Sequence, residues 1–128
     1  MSRDWIDDLI KAHGRPYYGF DCPPGWRPIV EAFYAYVERY PCLQATQVKE
    51  KFGTLRLYWS HDFDCDKCDA VWGTYGVVID AIESVSRFTC EQCGAYGTLR
   101  TGSWVRTLCD HCAGVRDAAN ATIEEGNL

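Results

Sequence analysis

Long hydrophobic runs are missing from this chain. Its longest nearly uncharged stretch, Ala70 to Ile79, is far too short to cross a bilayer. The first residues, Met1-Ser2-Arg3-Asp4-Trp5-Ile6-Asp7-Asp8, lack the cationic and apolar regions of a signal peptide. The expectation is a cytoplasmic protein, in a compartment where cysteines stay reduced and open to metal. Histidine is scarce: His13, His61 and His111 lie in unrelated segments. No H-x-x-x-H, G-x-S-x-G or phosphate-binding glycine loop occurs, so the sequence offers no catalytic motif and reads as a non-enzyme. Asp62-x-Asp64-x-Asp66 starts like a calcium loop, but Lys67 and Gly73 stand where that loop needs Gly and Glu, so an acidic surface loop is the better reading. Positive charge is also short. The net charge is −5, which disfavours nonspecific binding to nucleic acid.

What is present is cysteine. Cys90 and Cys93 bracket two residues, Cys109 and Cys112 do the same, and fifteen residues separate the pairs. This is the spacing of a tetrahedral Zn(Cys)4 site. Four thiolates leave the metal no open position, so the expected zinc is structural. Gly94 suits the knuckle turn because it tolerates positive φ. Cys65 and Cys68 form a third C-x-x-C, which could hold a second zinc with two of Cys22, Cys42, His13 or His61. The alternative is a polar loop with two free thiols.

The 128 residues, 47% of them hydrophobic, suffice for one domain with a moderate core. Residues 2–13 read as a short helix capped by Ser2, with Trp5, Ile6, Leu9 and Ile10 on one face. Tyr17 to Pro24 reads as loop. Trp26, Ile29, Val30, Phe33, Tyr34 and Val37 follow the helical period, which predicts a helix from Gly25 to Tyr40 ended by Pro41. Leu55, Leu57 and Trp59 alternate with Arg56 and Tyr58, which predicts a β-hairpin over Gln44 to Ser60 with Gly53 in its turn. A long helix is expected over 69–88, with Val71, Tyr75, Val78, Ile82 and Val85 on one stripe and Trp72 and Ile79 beside it. A knuckle, a short hairpin and a second cysteine pair opening a helix follow. The fold expected is α+β: a hairpin packed on two to three helices, closed by a C-terminal module resembling a zinc ribbon or treble clef. Residues 1–88 form the helical and hairpin core and 89–128 the zinc module, within one compact domain.

Charge is uneven. Segments 43–60 and 87–116 are each mildly basic, whereas 61–86 is strongly acidic. Lys49, Lys51 and Arg56 of the hairpin, with Arg100, Trp104 and Arg106 of the module, make a candidate interaction surface.

Several strings carry a family resemblance. They are Gly25-Trp26 opening a helix, Gln47-Val48-Lys49-Glu50-Lys51-Phe52-Gly53-x-Leu55-Arg56-x-Tyr58, Glu83-x-x-Ser86, and Thr89-Cys90-Glu91-x-Cys93-Gly94 before a Trp and a second cysteine pair. Together they resemble a group of small, largely uncharacterised proteins of phages and prophages, over most of residues 25–112. The resemblance implies a phage setting and a shared metal knuckle, and no activity. A small acidic phage protein without catalytic groups resembles, in broad character, inhibitors of bacterial defence such as anti-CRISPR proteins. The reading expected first is therefore a zinc-binding, non-enzymatic phage protein that binds a host protein. The competing reading is a nucleic-acid-binding zinc protein of phage transcription or replication. The two are separated by whether the basic segments 43–60 and 87–116 share one face.

Overall fold

The computed structural model describes residues 4–62, 72–102 and 104–126. Its elements run α1 (Asp4–His13), β1 (Phe20–Asp21), a 3-10 turn (Pro24–Trp26), α2 (Arg27–Val37), β2 (Leu43–Lys51), β3 (Thr54–His61) and α3 (Trp72–Ser84). A second 3-10 turn (Val85–Phe88), β4 (Thr98–Arg100), β5 (Arg106–Leu108) and α4 (Asp110–Gly126) complete the chain. The architecture is mixed α+β.

The hairpin forms as expected. β2 and β3 pair antiparallel, with Lys51 opposite Thr54, Lys49 opposite Arg56 and Gln47 opposite Tyr58. That register leaves Phe52-Gly53 as a two-residue turn, and both residues have positive φ, 53° and 80°. Such a turn matches strand twist and favours Asn-Gly. A phenylalanine in its first position carries about 1 kcal/mol of strain. Alternation sorts the side chains: Val48, Leu55 and Leu57 turn inward and are buried. The segment 17–24, expected as loop, contributes β1, which pairs parallel with β2 at Phe20–Val48 and Asp21–Lys49. Two residues are too few for alternation to reveal a strand.

α2 and α3 cover the inner face. Trp26, Val30, Phe33, Tyr75 and Ile79 are fully buried there with Val48 and Leu55. Two helices differ from expectation. α2 starts at Arg27, with Pro28 in its first turn, and ends at Val37, before Pro41. The chain there tightens into i→i+3 bonds, Arg39 N to Tyr36 O and Tyr40 N to Val37 O, as helix ends do. α3 changes to a 3-10 turn at Val85. The stripe therefore stops at Ile82: Val85 is exposed and Ser86 takes the buried place. Ser86 Oγ donates to Glu83 O at 2.7 Å and accepts from Leu55 N at 2.9 Å. Glu83 Oε2 accepts from Leu57 N at 2.9 Å. These two side chains satisfy β3 along its outer edge, which would otherwise present unpaired amides. Residues 69–71 of the expected long helix, and Ser2, lie outside the described residues.

Candidate metal centre

The knuckle is built by backbone bonds. Gly94 N donates to Cys90 O at 2.9 Å and Cys90 N to Ala95 O at 2.7 Å. Gly94 takes φ 82°, a conformation glycine adopts without penalty. β4 and β5 pair from Thr98–Leu108 to Arg100–Arg106 and return the chain to Cys109. α4 then begins, and Cys112 sits in its first turn. Ala113 N bonds to Cys109 O at 2.9 Å and Cys112 N approaches Cys109 Sγ at 3.4 Å.

The result is a cluster. The sulfurs of Cys90, Cys93, Cys109 and Cys112 all lie within 4.8 Å of one another. A tetrahedral zinc with bonds of about 2.3 Å needs sulfurs about 3.8 Å apart. Cys93 Sγ and Cys109 Sγ stand 3.7 Å apart. All four predicted ligands therefore meet, in a donor set and a geometry that fit a metal. His111 is exposed between the second pair and outside the cluster.

Electrostatics divide the thiols. Burial raises Cys90, but backbone N–H groups of Cys109, Cys93 and Gln92 outweigh it and hold the thiol down at about 6. Cys112 is pushed up to about 12 by burial and by the other three sulfurs. Without a cation, four sulfurs at this spacing cannot all ionise. A bound metal reverses that balance and displaces the remaining protons.

The cluster is fastened to the core through residues that sequence reasoning missed. Gly25 N donates to Glu91 O at 2.7 Å, and Trp26 Nε1 donates to Thr89 O at 2.9 Å. Glu91 N in turn donates to Thr107 O at 2.9 Å. The Glu91 carboxylate, 3% exposed, pairs with Arg106. Burial raises the Glu91 pKa against the opposing pull of Arg106. Thr107 Oγ1 donates to Gly53 O at 2.6 Å, so the hairpin turn rests on β5. Gly25, Trp26, Gly53, Thr89 and Glu91 stood in the strings that carry the family resemblance, but nothing local assigned them these roles. An acid between two ligand cysteines reads as exposed.

The candidate interaction surface divides accordingly. Segments 43–60 and 87–116 do meet, at Gly53 and Thr107. Two of the six residues are spent internally, however. Arg106 holds Glu91, and Arg100 donates to Leu108 O at 3.2 Å and to Asp110 at 2.7 Å. Lys49, Lys51 and Arg56 instead lie together on the sheet, and Trp104 is exposed.

No second metal group occurs among the described residues. Cys65 and Cys68 lie outside them. Cys42 is disulfide-bonded, whereas the other described cysteines are free. The expectation that every cysteine stays reduced is corrected at Cys42, because a disulfide sulfur has no thiolate to give a metal. Cys22 is a buried thiol. His13 stacks on Tyr34 at 4.7 Å and contacts Glu38, and His61 packs on Tyr75 at 5.4 Å. A cavity of about 370 Å³ opens beside His13, Arg15, Tyr34 and Glu38.

Compared with protein-family models, curated proteins and solved structures, the chain matches none. Among the described residues, no helix is long and apolar enough to cross a membrane.

Proposed function

We propose that the four cysteines hold one zinc ion as a structural fastener, in a treble-clef-like setting, and that the protein is a non-catalytic module that binds another protein. The fit of sulfur spacing to tetrahedral zinc supports the metal. The full set of four protein ligands leaves no position for chemistry. The observation that carries the binding role is where apolar surface is left open. Phe88, Tyr96, Leu99 and Trp104, all on or beside the cysteine module, are 59%, 73%, 53% and 68% exposed. Single exposed apolar residues are ordinary, but four within residues 88–104 favour a contact surface. Aromatics dominate such surfaces energetically.

The partner we assign is a host protein met by a phage-encoded chain, and the role is interference with bacterial defence. The resemblance of those strings to small phage and prophage proteins supports that setting. The test is a pull-down from bacterial lysate by the tagged full chain, with and without nuclease. A protein captured in both arms, and lost in a Leu99→Ser/Trp104→Ala variant that keeps its zinc, is the expected result. Capture that disappears with nuclease, or survives in the variant, refutes the protein-partner reading.

A further inference from the structure

We infer that the open face of the β1–β2–β3 sheet binds single-stranded nucleic acid, on a surface distinct from the apolar rim of the cysteine module. Strand alternation puts Val48, Leu55 and Leu57 into the core and Lys49, Lys51, Arg56 and Tyr58 on the opposite face. Lys49 stands directly across from Arg56. Like charges in that position repel, and neither they nor Lys51 form an ion pair with any described residue. Arg56 Nε is sealed from solvent without an acceptor. Asp21, in register with Lys49 on β1, is a carboxylate on this face and has contacts of its own. Glu50 is turned to the other side, where its carboxylate accepts from Gly53 N at 2.8 Å. The face thus holds three cations that form no ion pair with any described residue, an arrangement complementary to consecutive phosphates.

Aromatic rings accompany those cations from end to end. Tyr58 is 42% exposed, with the Lys49 ammonium 5.8 Å from its ring centre. Phe52, 69% exposed, stands at the turn with Lys51 at 5.8 Å, held in the strained conformation that asparagine or glycine would relieve. At the other end Tyr18 is joined to β2, its N–H donating to Thr46 O at 2.8 Å and its carbonyl accepting from Gln47 at 3.2 Å. Tyr18 is 67% exposed, and Tyr17 beside it 86%. Rings interleaved with lysine and arginine on a sheet are what unpaired bases stack on while their backbone is neutralised. A duplex hides its bases and could use only the charges. The net charge of −5 does not forbid this, because exposed charges beyond about 10 Å are screened at 0.1 M salt.

The test uses the zinc-loaded full chain and a fluorescein-labelled 20-residue oligothymidylate, read by anisotropy. Saturable binding is expected at about 0.1 M salt, where the distant negative charge is screened. Its log–log slope against salt should be about −2, for three cations at about 0.7 each. Tyr58→Ala should weaken binding about tenfold, the loss of one stacked base. Lys49→Gln/Lys51→Gln should reduce the slope to about −0.7. A duplex of equal length and polyglutamate should each bind at least tenfold more weakly. Zinc content and melting temperature of each variant report that the fold is intact. The Leu99→Ser/Trp104→Ala variant should keep full oligonucleotide affinity, so failure of the protein-partner reading does not touch this one. The inference is overturned by absence of binding, by duplex or polyglutamate binding as tightly as the oligonucleotide, or by intact variants binding like the parent.

Discussion

Gly25→Ala should separate the metal module from the core. A methyl group at this position would lie 2.1 Å from Cys90 O, 2.6 Å from Glu91 C and 2.7 Å from Glu91 O. These are backbone atoms of the knuckle and cannot swing aside as a side chain tip would. Ordinary carbon contacts need about 3.5 Å, so the knuckle must retreat by more than about 1 Å. That displacement breaks the Gly25–Glu91 hydrogen bond of 2.7 Å and strains the Trp26–Thr89 bond of 2.9 Å. Overpacking costs about 1–3 kcal/mol and each lost hydrogen bond about 0.5–1.5 kcal/mol. The expected loss is about 2–5 kcal/mol, a large share of the 5–15 kcal/mol typical of whole domains. Urea unfolding followed by tryptophan fluorescence measures it, since Trp26 is fully buried. Gly114→Ala is the control, because nothing lies within 4 Å of its added methyl and a helical alanine gains up to about 1 kcal/mol over glycine. A Gly25→Ala protein within about 0.5 kcal/mol of the parent would refute this docking of the knuckle on Gly25.

Native mass spectrometry should find one zinc per chain, lost in Cys93→Ser; the variant keeping full zinc would remove Cys93 from the ligand set. Because Cys112 sits near 12 without metal, zinc uptake at neutral pH should release protons, measurable as a buffer-dependent heat in calorimetry. Glu91→Ala should lower stability by about 2–3 kcal/mol, below the 3–5 kcal/mol for breaking a fully buried pair, because Arg106 is 22% exposed; denaturation of Glu91→Ala beside Arg106→Ala and the double variant isolates the pair. The Tyr34 phenol, pushed up to about 12 first by burial and then by Cys22, favours its neutral form in the fold. Its contribution is complete below pH 10 and declines as pH rises toward 12, by about 2 kcal/mol. Burial also raises Tyr36, so ultraviolet titration should show one fewer late tyrosine in Tyr34→Phe than in the parent.

Much of the fold was legible because it rests on local pattern. The hairpin's alternation over Leu55, Leu57 and Trp59 and the helical period over Trp26 to Val37 are set by which side chains must leave water. The four ligands were legible for a similar reason: a C-x-x-C turn fixes two sulfurs by its own backbone. What was not legible depended on a distant partner. Glu83 and Ser86 look like surface residues of a helix until β3 is placed beside them, when they become acceptors for Leu57 and Leu55. Arg100 and Arg106 read as available cations, and the fold spends them on Leu108, Asp110 and Glu91. β1 is a strand only because β2 lies next to it.

The sequence by itself determined the alternating and helical faces, the turn at Gly53 and the pairing of the candidate metal donors, since each follows from neighbours a few residues away. Tertiary structure alone decided how the knuckle seats on Gly25, which cations are neutralised and which stay open on the sheet, and that Phe52 stands exposed at the turn. Those outcomes are set by contacts between segments far apart in the chain, where one methyl group at Gly25 or one carboxylate at Glu91 changes the packing and no local pattern records it.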